Sequence, residues 1–188
     1  MKRFFFKSAF ALSLIFFLAG SAFSQTPDSP EAVAKAYFAG MQASNWDKCA
    51  SLLHTEALGS MRRTFAAIIK ADESGGAAKT IFGLKSNEEF AQLSEASVFE
   101  RLMNFITGAV PEMKSALASS TTTILGKVNE GTDLVHVVYR SQIKMAGAEA
   151  TEVELISFKK QGTSWRALLT ADMEEMVNKF AEGMSGKK

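Results

Sequence analysis

TTTILGKVNEGTDLVHVVYRSQIKM, residues 121–145, decides the class of this fold. Side chains alternate along it with a period of two. Val135, Val137, Tyr139, Ile143 and Met145 share one parity, and Leu134, His136, Val138, Arg140 and Gln142 share the other. A pleated strand sends alternate residues to opposite faces, so the first, more apolar set faces a core and the second faces out. Asn129-Glu130-Gly131 supplies a turn, which makes 121–128 and 133–145 a hairpin. Two further runs rich in Thr, Val, Ile and aromatics, 151–160 and 164–170, follow Ala146-Gly147-Ala148 and Gln161-Gly162. Four antiparallel strands in a meander is the simplest arrangement.

Upstream, the period is helical. Ser29-Pro30-Glu31 places a capping hydroxyl, a proline at the first helical position and an acid at the positive end of the dipole. Val33, Ala36, Tyr37, Gly40 and Met41 then form one apolar face to about Ala43, and Asn45 caps a short second helix over 46–53. A third amphipathic segment over 56–70 ends before Ser74-Gly75-Gly76, which reads as a flexible loop. Ser86 and Glu89 have capping-box spacing and introduce one long helix carrying Phe90, Leu93, Leu102, Phe105 and Ile106. Gly108 and Pro111 end it, and a helical turn runs on to Ala118. After the strands, Asp172 and Glu175 repeat that spacing ahead of Met173, Met176, Val177, Phe180 and Met184. The expectation is an α+β domain over 25–184, with helices on one side of a four-stranded antiparallel sheet, an extra C-terminal helix and a disordered tail over 185–188.

Residues 1–24 read as a secretory signal peptide. Lys2, Arg3 and Lys7 precede an apolar run over 9–18, and Ala22-Phe23-Ser24 suits cleavage before Gln25. The run is too short to serve as a stable membrane anchor, and Ser21 stands where a lipoprotein signal needs Cys. The mature protein is therefore expected to be periplasmic or secreted. The chain has 21 Lys and Arg against 20 Asp and Glu; loss of the three leader cations leaves 18 against 20, a net −2. No basic excess remains for a phosphate backbone, so nucleic acid is not an expected partner. Cys49 is the single cysteine, which excludes an internal disulfide, and its apolar helical neighbours mark it as a buried structural thiol.

The stretch SPEAVAKAYFAGMQASNWDKCASLLHTEAL, 29–58, resembles the opening helical hairpin of the nuclear transport factor 2-like (NTF2-like) superfamily. ISFKKQGTSWRALL, 156–169, is similar to that superfamily's closing strands, and the order of elements also resembles periplasmic phospholipid carriers. Either resemblance implies a curved sheet wrapped against helices around an apolar cone. The helical block over 60–118 and the terminal helix depart from the NTF2-like pattern.

Enzymes of that superfamily use a carboxylate, Tyr or His inside the cone to move a proton. Tyr139 is the foremost pocket candidate here because it combines a hydroxyl with the apolar parity. Glu152 and Glu154 lie one strand on. In one hairpin register they face Arg140 and Gln142 as ordinary pairs; shifted by one, they join Tyr139 and Ile143 as acid/base candidates. His136 shares the outward parity with Arg140, so a solvated or partner-facing role is expected. His54 reads as a cation at the C-terminus of the second helix, Trp165 as rim packing or a platform for a ring or acyl chain, and Arg62 as part of a solvated face, with a hold on an anionic head group at the cone mouth as its alternative. No ligand spacing for a metal, phosphate loop or Gly-x-Ser-x-Gly elbow is present, and no cofactor is expected. The leading expectation is an exported non-enzymatic domain that binds an apolar or amphipathic small molecule, a lipid or an envelope partner. A ketosteroid-isomerase- or polyketide-cyclase-like enzyme using Tyr139 with a carboxylate is the alternative, and a homodimer through the sheet is a third reading.

Overall fold

A computed structural model describes residues 29–145 and 148–185. The leader, its cleavage point, the Ala146-Gly147 turn and the tail beyond Ser185 lie outside the described residues. The chain runs α1 (Pro30–Gln42), α2 (Trp46–Leu52), α3 (Thr55–Ala71), α4 (Gly76–Phe82), α5 (Asn87–Ala91), α6 (Glu95–Ala109), α7 (Pro111–Ser119), β1 (Thr121–Glu130), β2 (Leu134–Met145), β3 (Ala148–Gln161), β4 (Ser164–Ala167) and α8 (Ala171–Ser185). The class is α+β, and the sheet is an antiparallel meander in the order β1-β2-β3-β4.

Capping fixes the first helices as their sequence implies. Ser29 Oγ accepts from Ala32 N at 3.1 Å with Pro30 in the first turn, and Asn45 Oδ1 accepts from Lys48 N at 3.0 Å. Four local readings need correction. The Ser74-Gly75-Gly76 stretch leads directly into α4: Gly75 takes a left-handed φ of 72°, and Asp72 accepts from Ser74 N and Ala77 N, so its carboxylate organises the turn. The long helix after Ser86 is two helices. Ser86 makes no side-chain cap and Glu89 accepts from Lys85 N instead, while Ser94 caps α6 through Ser97 N. His54 lies beyond the end of α2; its Nδ1 accepts from Glu56 N at 3.1 Å and caps α3. At α8, Thr170 Oγ1 accepts from Met173 N at 3.3 Å, which puts Thr170 in the capping position in place of Asp172.

Tertiary packing follows the parity of β2. Val135, Val137 and Tyr139 are buried against the helical layer together with Ile156 and Phe158 of β3. Phe38 of α1 lies 4.6 Å from the Tyr139 ring, centroid to centroid. Phe65, Phe82, Phe99 and Leu102 form the heart of the helical layer, and Phe180 of α8 closes on Phe65 and Phe105 at 6.1 and 5.9 Å. The junction of α2 and α3 is tied to β4 by His54 N donating to Ala167 O at 2.8 Å. β4 is short and pairs with β3 only from Phe158 to Gln161. β3 is longer than its neighbour by ten residues at its N-terminal end, and that overhang borders the site below.

Candidate functional site

The β2–β3 register answers the question left open by the sequence. Tyr139 pairs with Glu154, Ser141 with Glu152 and Ile143 with Ala150, so both glutamates share the Tyr139 face and neither pairs with Arg140 or Gln142. The Tyr139 hydroxyl donates to Glu154 Oε2. This pair forms a common wall to three adjoining spaces, one of which also takes in Leu155 and Ser157 of the outer face.

The most apolar of these has a volume of about 220 Å³. Met41 comes from α1, Met103 from α6, Met113 from α7, and Met173 and Met176 from α8, with Tyr37 and Phe38 between them. Thioether side chains are flexible and polarizable, so such a lining adapts to the shape of what it holds. Beside it lies a more polar groove of about 430 Å³ that includes Leu155, Ser157, Thr170 and Asp172. A smaller space of about 100 Å³ continues toward Ser141 and Ile143.

Electrostatics distinguish the polar groups. Burial pushes the Glu154 carboxyl above its ordinary range, and the negative charges of Glu152 and Asp172 act in the same direction, while the Tyr139 hydrogen bond opposes them. Burial and the Glu154 carboxylate also hold the Tyr139 hydroxyl protonated. Tyr37, deeply buried, is shifted the same way by burial and then by Cys49, and its hydroxyl points to Met173 Sδ at 4.0 Å. The site thus offers an apolar chamber with one hydroxyl and one carboxyl able to take up a proton.

The remaining candidates lie elsewhere. Arg62 donates to Ala91 O at 3.0 Å and sits 5.9 Å from the Phe90 ring, in a groove between α3 and α5. Trp165 is half-buried on β4 with Lys160 Nζ 5.3 Å from its ring centroid, and it does not line the three spaces around Tyr139. His136 is on the outer face, bonded to Ser157 and Glu130. Sequence reasoning missed the convergence of Met41, Met103 and Met113, which sit on three helices far apart in the chain, and it treated Asp172 only as a cap. The methionines of α8 were the one visible signal. Among the described residues, no three His, Cys, Asp or Glu side chains gather to hold a metal ion, and no helix is long and apolar enough to cross a membrane.

No protein-family model matches the chain. No curated protein matches it. Among solved structures it is similar to RPA3114, a SEC-C motif containing protein from Rhodopseudomonas palustris, at 12% identity over 78% of this chain and 80% of that one, with a TM-score of 0.42. These findings overturn the expected membership of the NTF2-like superfamily and the weaker likeness to phospholipid carriers. The physical reason lies in what carried the resemblance: a capped helical hairpin and a Gly turn before a Trp are packing solutions open to many α+β domains, and neither is a family signature.

Proposed function

We propose that this chain is an exported domain whose chamber between the sheet and α8 binds, without chemistry there, a small apolar or amphipathic molecule. The observation that carries the reading is the convergence of five methionines on one chamber whose wall presents the Tyr139–Glu154 pair. A ligand with an apolar body would displace water from the thioether lining, and a single polar atom would exchange hydrogen bonds with Tyr139 and Glu154. The chamber is smaller than the roughly 300 Å³ at which drug-sized sites begin, so a compact ligand fits it best. The apolar leader supports export. Native mass spectrometry of the mature protein from its own source tests this: a co-purifying small molecule lost on Tyr139→Phe or Met176→Asp substitution supports it. Absence of any such molecule, with no uptake of an apolar fluorescent probe, ends it.

A second reading has its own support, because Glu154 shares the Tyr139 face and has a raised affinity for its proton. That arrangement suits proton transfer next to a carbonyl or hydroxyl, the chemistry of an isomerase or dehydratase. Exchange of ligand protons with deuterium that depends on Glu154 would favour it over simple binding.

A further inference from the structure

The outer face of the sheet carries a line of three polar side chains, one from each of three neighbouring strands. Glu130 ends β1, His136 lies on β2 and Ser157 on β3. His136 Nδ1 is 2.8 Å from Ser157 Oγ, and His136 Nε2 is 2.7 Å from Glu130 Oε2. The ladder explains the approach. Lys160 N donates to Asp133 O, which sets the phase of the β2–β3 ladder and makes His136 and Ser157 a non-hydrogen-bonded pair, the type in which opposed side chains come closest. Glu130 pairs with Leu134 and so reaches His136 diagonally on the same face. With the proton on Nε2 donated to the carboxylate, Nδ1 is left to accept the Ser157 hydroxyl proton.

We propose that Ser157, His136 and Glu130 form a nucleophile, base and orienting acid able to accept an acyl group from a short apolar ester, on the face of the sheet opposite Tyr139 and the methionine chamber. The constellation meets the geometric requirements of an activated serine, a base bonded to the nucleophile and a third group bonded to the base. Two further features supply what a substrate needs. Leu168 N donates to Ser157 O at 2.8 Å, so the carbonyl and N–H of Ser157 both point toward the β4 side. There β4 pairing stops at Phe158, and the 430 Å³ groove lined by Leu155, Ser157, Leu169 and Thr170 begins. The N–H of Ser157 thus faces a space where a carbonyl oxygen bonded through Ser157 Oγ and gathering negative charge would lie. Val128, opposite His136, and Leu155, two residues before Ser157, are 59% and 55% exposed and provide an apolar bed for the acyl chain.

The Ser157 Oγ–H proton passes to His136 Nδ1 as Oγ bonds to the ester carbonyl carbon. The carbon–oxygen bond to the leaving alkoxide then breaks, and that alkoxide takes the proton from Nδ1. Water repeats the sequence on the acyl-serine, releasing the acid and restoring the hydroxyl.

The full mature chain is treated with a fluorophosphonate probe and separately with p-nitrophenyl butyrate. One phosphonyl adduct on Ser157, located by peptide mass spectrometry, is expected, with nitrophenolate release at least ten times faster than from Ser157→Ala. His136→Asn should fall to the Ser157→Ala rate, Glu130→Gln should lose severalfold, and Ser60→Ala, on exposed α3 surface, should match the wild type. Circular dichroism confirms that each variant is folded. Label spread over Ser60 and other exposed serines, or an unchanged rate in folded Ser157→Ala or His136→Asn, overturns the proposal.

Discussion

Tyr139 on β2 and Glu154 on β3 stand directly opposite each other, and the hydroxyl of the first donates to the carboxylate of the second. This pairing sets the polarity of the chamber wall and opposes the upward push that burial gives its carboxyl. A one-residue slip of the ladder would send Glu154 to the outer face and leave Tyr139 opposite a valine or leucine.

Because the Glu154 carboxyl is raised from its ordinary 4.5 by burial, the folded chain holds this proton more tightly than the unfolded one. Below pH 4.5 both states carry it and the group contributes nothing; as pH rises toward the folded value, stability falls, and the deficit persists above it. Glu154→Gln should therefore melt higher than wild type at pH 8 and no higher at pH 4. Glu31 runs the opposite way, since its hydrogen bond to Lys127 at 2.7 Å lowers its carboxyl and its contribution is lost as pH falls below 4.5. Thermal melts of Glu154→Gln and Glu31→Gln across pH 3–8 separate the two.

Tyr139→Phe removes the one hydrogen bond that opposes the rise of the Glu154 carboxyl. Two outcomes follow. The Glu154 titration, followed by carbon NMR of its carboxyl, should move to higher pH than in wild type. Affinity for an amphipathic ligand bonded to the hydroxyl should weaken by about tenfold, the worth of one net hydrogen bond. A titration that stays in place would show that the hydroxyl does not hold the carboxylate in solution.

The parity of Val135, Val137 and Tyr139 made the sheet legible, because period-two burial is written in consecutive residues. The pairing of Tyr139 with Glu154 was not, since either register satisfies alternation and only the three-dimensional ladder chooses. The α5–α6 break shows a different limit: Ser86 to Glu89 has the spacing of a capping box, yet Glu89 spends its carboxylate on Lys85 N and Ser94 takes over as the cap. His54 was misplaced because a helix C-terminus and the next N-terminus lie one residue apart there. Only the α8 methionines hinted at the chamber, since Met41, Met103 and Met113 reach it from three other helices.

Burial pushes the Cys49 thiol up to about 12, so almost no thiolate exists at neutral pH, and the side chain is fully enclosed. Its reaction with a disulfide reagent at pH 8 should therefore be slower than that of free cysteine by at least a hundredfold and should follow the rate of global or local opening. Adding denaturant through the unfolding transition should raise the rate to that of an exposed thiol. Rapid labelling of the native protein would show that α1 and α2 separate readily.

Gly40 and Cys49 are where these two helices meet. A Cβ built on Gly40 would lie 2.7 Å from Cys49 Sγ, and the thiol is held in place by its contact with Tyr37 O at 3.7 Å. Two effects then compete in Gly40→Ala. Alanine is better in a helix interior by up to about 1 kcal/mol, whereas overpacking a closed core costs about 1–3 kcal/mol. With the sulfur fully buried and tied to Tyr37 O, the clash should win and Gly40→Ala should destabilise the protein. In a Cys49→Ala background the nearest remaining atom is Asn45 O at 3.5 Å, an ordinary contact, so the same change should become neutral or stabilising. Urea unfolding of the four proteins in this cycle should give a coupling energy of about 1–3 kcal/mol. Additive effects would mean that α1 shifts away from α2 to admit the methyl group.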